Sequence, residues 1–210
     1  MRGVLKVEWR QFYKEKNRDI DDLLSNVASH REFIQTIIDN APIKNAQDTH
    51  LLEVGTGTAD MSIFLSWLGY KVISVDNDQE VIENAINRDL MRTAGALKIF
   101  KKDAFNLSFS NKRFALAFSQ GFFEHFSDEN IVQLVKEQLR VANKVIFSVP
   151  SFWYPHRDFG NERLLRKEEW VNILNKDFRI SKSFYYRFNR RLKYFLKHKP
   201  MHICIVVGEA

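Results

Sequence analysis

Residues 51–60 read Leu51-Leu52-Glu53-Val54-Gly55-Thr56-Gly57-Thr58-Ala59-Asp60. Four residues of strand character run into a turn built on Gly55 and Gly57, and a helix-like run, Met61 to Leu68, follows. A strand that ends in a glycine turn and opens a helix is a nucleotide-binding geometry. Glycine lets backbone N–H groups approach a ligand with no Cβ in the way. The third glycine of a GxGxxG fingerprint is absent, and Asp60 stands in its place. A carboxylate there would repel a pyrophosphate. Glu53, two residues before Gly55, suits a cationic group such as an ammonium better than a phosphate. The bland alternative for the glycines is an ordinary strand–helix turn.

Outward from this stretch the pattern repeats. Lys71 to Val75 reads as a second strand, and Asp76 closes it, 19 residues after Gly57. An acid at about that distance can accept hydrogen bonds from both hydroxyls of a ribose. Asp76 therefore indicates an adenosine ribose without choosing the cofactor; a helix cap for the segment near Asp78 is the alternative, and the two roles are compatible. Residues 78–94 read as a helix with Val81, Ile82, Ala85, Ile86 and Leu90 on one face, and Gly95 as its C-cap. Leu97 to Phe100 is a short third strand, leading into Asp103-Ala104-Phe105. Phe114 to Phe118 is an apolar strand of the kind buried on both faces of a parallel sheet. Ser119 and Gln120 leave its carboxyl end, where open α/β sheets bind ligands. Ser127 or Asp128 caps a helix running to about Val141, and Asn143 to Val149 is a fifth strand closed by Pro150.

Glu53-x-Gly55-x-Gly57 resembles the first motif of the class I S-adenosylmethionine-dependent methyltransferases, an acid followed by Gly-x-Gly. Ala59 stands where the family often has a further glycine. The resemblance covers about residues 49–150 well and the last strands more loosely. It implies a Rossmann-like, doubly wound, mostly parallel seven-stranded sheet with helices on both faces and an antiparallel C-terminal strand pair. It implies S-adenosylmethionine as cofactor and S-adenosylhomocysteine as product. Glu53 would meet the methionine end, Gly55 and Gly57 would permit close approach, and Thr56 between them would be a further cofactor-binding residue. Asp76 and Asn77 would hold the ribose. Asp103 would serve the adenine amino group, with Ala104 and Phe105 beside the ring, unless Asp103 is simply an exposed turn acid. Ser119 and Gln120 would be cofactor neighbours. Glu124 and His125 resemble the Glu-His pair seen here in many small-molecule members; His125 is a candidate base or a structural hydrogen-bonding group.

The flanks extend this plan to one methyltransferase-like domain over residues 1–210, with an N-terminal helical cap (1–42), a cofactor-binding core (49–150) and a substrate-side segment with C-terminal strands (151–210). Residues 4–40 read as helical. Trp9 to Tyr13 suit either a cap over the ligands or plain packing. Ile20, Leu23, Leu24, Val27, Phe33, Ile34, Ile37 and Ile38 keep helical steps as far as Ala41-Pro42. Ser151 to Gly160 is rich in aromatics and turn formers after a strand end. Tyr154, His156, Arg157 and Asp158 are candidates to orient or deprotonate a substrate, His156 being the second candidate base; a packed aromatic lid is the alternative. Phe178 to Phe188 and Met201 to Val207 read as the final strands.

Composition narrows partners. The net charge of +6 permits an anionic partner without demanding one. Residues 182–199 hold seven Lys or Arg and no acid, interleaved with aromatics, which suits RNA or an amphipathic excursion packed on the core. The single cysteine, Cys204, precludes an internal disulfide. It lies in the last strand, which excludes a cytosine-C5 mechanism through a thiol after the fourth strand. An Asn/Asp-Pro-Pro-Tyr/Phe motif is also absent there. A small-molecule acceptor is the default, RNA the alternative, and a catalytically silent cofactor-binding module a third reading. A nicotinamide oxidoreductase is disfavoured by Glu53, Asp60 and the missing glycine. No metal site is expected. No apolar run of membrane length and no apolar signal core at the N-terminus occur, so a cytoplasmic location is expected.

Overall fold

A computed structural model describes residues 19–155, 161–188 and 199–210. The N-terminal positions Trp9 to Tyr13, the candidates His156, Arg157 and Asp158, and the basic residues Arg190, Arg191, Lys193 and Lys197 lie outside the described residues.

Among the described residues two short helices come first, α1 (Ile20–Ser29) and α2 (Arg31–Asn40). The Asp19 side chain accepts the Asp22 N–H at 3.0 Å, satisfying one of the free donors of the first turn of α1. The apolar periodicity of residues 20–38 predicts one helix, and the structure breaks it at His30. The backbone there turns to φ −113°, ψ 23°, which aims the imidazole at the sheet instead of continuing the helical face.

The sheet has seven strands in the order β3-β2-β1-β4-β5-β7-β6. They are β1 (His50–Val54), β2 (Lys71–Asp76), β3 (Leu97–Lys101), β4 (Leu116–Gln120), β5 (Val145–Pro150), β6 (Arg179–Phe188) and β7 (Pro200–Gly208). The first five pair in parallel, while β7 runs antiparallel to both β5 and β6. This is the Rossmann-like plan expected, with its antiparallel C-terminal pair. The remaining helices are α3 (Asp60–Trp67), α4 (Gln79–Ile86), α5 (Asp128–Val141) and α6 (Lys167–Leu174).

Alternation along the strands sorts the core into two layers. Leu52 and Val54 join Ala117, Phe147, Ile131, Leu134, Val135 and Trp170 on one face. Leu51 joins Phe118, Ile146, Phe33, Ile37, Met61 and Leu65 on the other. By the same parity Glu53, Gln120 and Ser148 belong to the face covered by α2 and α3. The chain builds β2 and β3 to one side of β1 and then crosses to place β4 on the other. That reversal opens a crevice at the carboxyl ends of β1 and β4.

Local expectations shift in three places. The helix over 78–94 ends at Ile86, and residues 89–93 form a separate short 3-10 turn. Ile86 is consequently exposed, and Gly95 does not act as a left-handed C-cap, since Ala94 closes that turn in extended conformation. Strand β4 is set two residues later than Phe114–Phe118. Phe114 makes only an isolated bridge to Ala142, and Ser119 and Gln120 belong to the strand itself. Ser127 caps α5 by accepting the Asn130 N–H at 3.4 Å.

Candidate functional site

The turn after β1 holds three consecutive odd-numbered residues in the left-handed region: Gly55 at φ 85°, Gly57 at φ 49° and Ala59 at φ 59°. Gly55 is obligatory on two counts. Its conformation is one that side chains rarely adopt, and a Cβ there would meet the Phe122 ring at 2.8 Å. Its own N–H is tied to the Val75 carbonyl at 2.9 Å, which fastens the turn to β2. Ala59 bears the same conformation with a Cβ, which costs about 1–2 kcal/mol.

Glu53 sits under this turn at 4% exposure. Its Oε2 accepts from Ser62 Oγ of α3 at 2.6 Å and from Ser74 Oγ of β2 at 2.7 Å. Ser74 Oγ also bonds Thr56 Oγ1 at 2.8 Å, so one serine links the acid to the turn. Burial, reinforced by the Asp60 and Asp76 carboxylates and opposed by the two serines, pushes the Glu53 carboxyl up to about 8.

Asp76 ends β2 beside the turn. Its Oδ1 accepts the Asp78 N–H at 3.0 Å. Burial raises its pKa, and the backbone N–H groups of Asp78, Gly57 and Asn77 oppose that rise. Asp78, not Asp76, caps α4, accepting the Glu80 N–H at 2.9 Å. Asn77 is exposed.

Asp60 corrects an electrostatic expectation. Its carboxylate does not stand as a bare repulsive charge at the turn: Arg88 Nη1 meets its Oδ1 at 2.7 Å and Asn26 Nδ2 meets its Oδ2 at 2.9 Å. Arg88 also holds the Thr58 carbonyl. Asp60 alone therefore does not disfavour an anionic ligand.

Further along the strand ends, Asp103 is exposed and accepts the Phe105 N–H at 2.9 Å, forming its own turn. Ala104 and Phe105 are half-buried against the core, with Phe105 edge-on to Phe126 at 5.9 Å. Ser119 is 1% exposed, and its Oγ has no hydrogen-bond partner among the described residues. Gln120 donates its Nε2 to the Asn26 carbonyl oxygen at 3.4 Å and approaches His30 Nε2 at 3.0 Å.

The structure brings Glu53, Gly55, Thr56, Gly57, Asp76 and Gln120 together at the carboxyl ends of the adjacent strands β2, β1 and β4. Asp103 lies one strand further out, at the edge. His125 occupies the short turn after β4. Its Nδ1 lies 2.9 Å from Asn161 Oδ1, and its Nε2 lies 3.9 Å from the buried Glu124. The residues that sequence reasoning missed are Phe122, His30, Asn26, Ser148, Tyr186 and His202. Phe122 supplies an apolar wall over Gly55. Tyr186 Oη bonds His30 Nδ1 at 2.6 Å and Ser148 Oγ, at the carboxyl end of β5. Arg187 Nη1 reaches His202 Nε2 at 3.1 Å, and burial, then Arg187, pulls the His202 pKa down to about 3. No local motif marks these residues, because each depends on pairing between distant segments.

Among the described residues no helix is long and apolar enough to cross a membrane, and no group of three or more His, Cys, Asp or Glu could hold a metal ion.

Residues 51–144 match the family model described as a methyltransferase domain. Among curated proteins none matches the sequence. Among solved structures, the chain is similar to the PH0226 protein of Pyrococcus horikoshii OT3, with 15% identity, a TM-score of 0.69, and 95% of this chain and 99% of that one covered. It is also similar to the magnesium protoporphyrin IX methyltransferase of Synechocystis PCC 6803, solved with bound S-adenosylmethionine, with 14% identity, a TM-score of 0.64, and 99% and 92% covered. A third is an S-adenosylmethionine-dependent methyltransferase of Aquifex aeolicus, with 14% identity, a TM-score of 0.63, and 92% and 100% covered. At these identities the structural likeness is one of fold.

Proposed function

We propose that the chain is a class I S-adenosylmethionine-dependent methyltransferase that methylates a small-molecule acceptor by in-line displacement in the crevice at the carboxyl ends of β1, β2 and β4, a reading supported by the methyltransferase-domain match over residues 51–144. S-Adenosylmethionine supplies the methyl group in activated form, on a sulfonium. The work left to the chain is to bind, orient and exclude water.

The observation that carries the site reading is the convergence of Glu53, the left-handed glycine turn and Asp76 on three neighbouring elements. The residues fit the cofactor in kind. Glu53 is a buried carboxyl for the ammonium of the methionine end. Gly55 and Gly57 keep side chains out of the approach, and the Thr56 hydroxyl between them is turned to Ser74. Asp76, with Asn77 beside it, accepts from the ribose hydroxyls. Asp103 serves the adenine amino group, with Ala104 and Phe105 as its apolar neighbours. Ser119 and Gln120 line the methionine side at the end of β4. Where the acceptor carries a proton that must leave early, His125 is the base. Its Nδ1 lies 2.9 Å from Asn161 Oδ1, a contact that orients the ring. His156 is the second candidate for that role.

A small-molecule acceptor is favoured over RNA by what the aromatics of β6 do. Tyr186 is buried in the hydrogen-bonded cluster, and Tyr185 packs against Trp153 at 5.4 Å, with its hydroxyl accepting the Lys167 N–H at 2.9 Å. Side chains committed to packing are not displayed for base stacking.

The test is calorimetric titration with S-adenosylmethionine and S-adenosylhomocysteine, beside NAD. Micromolar binding of the two sulfur compounds and none of NAD is expected. Asp76→Ala should weaken binding at least tenfold; full affinity in that variant would remove Asp76 from the ribose role. Methyl acceptors are then screened, small molecules first. Salt-dependent RNA binding that disappears on neutralising Arg190 and Arg191 would replace the small-molecule reading. Tight cofactor binding with no turnover on any acceptor would leave a silent binding module.

A further inference from the structure

A single hydrogen-bonded chain crosses the molecule from the glycine turn to the C-terminal strand pair. It runs Arg88–Asp60–Asn26–Gln120–His30–Tyr186–Ser148 and draws on α1, α3, β4, β5 and β6. Its direction follows from one end. Asp60, paired with a guanidinium, is a carboxylate and only accepts. Asn26 must therefore turn its amide nitrogen toward Asp60 and its carbonyl oxygen toward Gln120. Gln120 must answer with its own Nε2, and the same nitrogen faces His30 Nε2 at 3.0 Å. His30 Nε2 is consequently the lone-pair nitrogen, and the ring proton sits on Nδ1. That N–H donates to Tyr186 Oη at 2.6 Å, and the phenol oxygen shares a further hydrogen bond with Ser148 Oγ. His30, Tyr186 and Ser148 are all buried, so water does not compete for these bonds. Burial also holds the His30 pKa well below its ordinary value, in keeping with a neutral ring.

One consequence concerns Gln120. Both of its amide hydrogens have partners in Asn26 and His30, which fixes the carboxamide plane and leaves Oε1 as an acceptor at the carboxyl end of β4. We propose that His30 is a positioning residue for Gln120, holding Oε1 in place to accept a hydrogen bond from a donor group of the bound S-adenosyl cofactor. The inference rests on the cofactor placement given under Proposed function.

Histidine offers two groups that can be removed separately. His30→Gln places an amide where Nε2 stands and keeps an acceptor for Gln120. His30→Asn keeps a donor where Nδ1 stands, facing Tyr186, and gives Gln120 nothing. Calorimetry with S-adenosylhomocysteine should show His30→Asn weakened about tenfold and His30→Gln within about threefold of wild type, while thermal melts of the two fall together. Gln120→Ala should reproduce the tenfold loss, and adding His30→Asn to it should cost little more, because the two act through one contact. Equal affinities for the two His30 variants, or additive losses in the double variant, would overturn the inference. Gln120→Ala with wild-type affinity would overturn it as well, whether or not the His30 variants fold. Failure of the wild-type protein to bind S-adenosylhomocysteine would instead sink the cofactor placement itself.

Discussion

The role proposed for Glu53 requires cofactor binding to release a proton. Its carboxyl is pushed up to about 8 by burial, against about 4.5 when free. At pH 7 only about one molecule in ten carries the charge, and pairing with an ammonium requires that charge. Binding of S-adenosylhomocysteine at pH 7 should therefore release about 0.9 proton, read as the slope of calorimetric enthalpy against buffer ionisation enthalpy. Affinity should rise close to tenfold from pH 6 to pH 7, continue upward to about pH 8, and turn over above it as the ligand's own amino group loses its proton. Glu53→Gln should bind at least tenfold more weakly and lose the rise. The free protein carries the complementary signature. Between pH 4.5 and 8 native Glu53 keeps a proton that the unfolded chain has released, so stability falls with rising pH in that window. The slope is up to about 1.4 kcal/mol per pH unit, and Glu53→Gln removes it. Proton release near zero, with affinity flat from pH 6 to 8, would show that Glu53 is already ionised or does not meet the ammonium.

Three further outcomes follow from the turn. Ala59→Gly should stabilise the protein by about 1 kcal/mol by removing a Cβ from the left-handed region, offset in part by the looser unfolded chain; urea denaturation reads it, and a loss of stability would contradict the strain argument. Gly55→Ala should destabilise by about 1–3 kcal/mol because of its φ and the 2.8 Å approach to Phe122, and Phe122→Ala in the same chain should return part of that loss in thermal melts. Arg88→Ala should cost about 3 kcal/mol, since Asp60 keeps its buried carboxylate and loses the guanidinium; a change below about 1 kcal/mol would mean the pair is dispensable.

Residues 51–60 needed only their own chemistry: an apolar strand, glycines that tolerate positive φ, and a helix start dictate the turn wherever they occur. Asp76 was legible for the same reason, since spacing from the turn places the end of the next parallel strand. The strand alternation and the antiparallel last pair were legible as pattern and resemblance. Helix ends were less so. The break at His30 carries no glycine or proline, and is set by an imidazole whose partners, Gln120 and Tyr186, lie 90 and 156 residues away. Ile86 fits the helical period, yet it stands at the end of its helix and is 47% exposed. Asp60 looked repulsive in sequence because Arg88, 28 residues on, could not be placed beside it. The sequence by itself determined the sheet, the glycine turn and the acids at the strand ends, because those follow from local conformation and spacing. Only the tertiary structure decided the protonation of Glu53, the pairing of Asp60 and the chain through His30. Charge state and hydrogen-bond direction depend on which groups from distant segments share a buried volume.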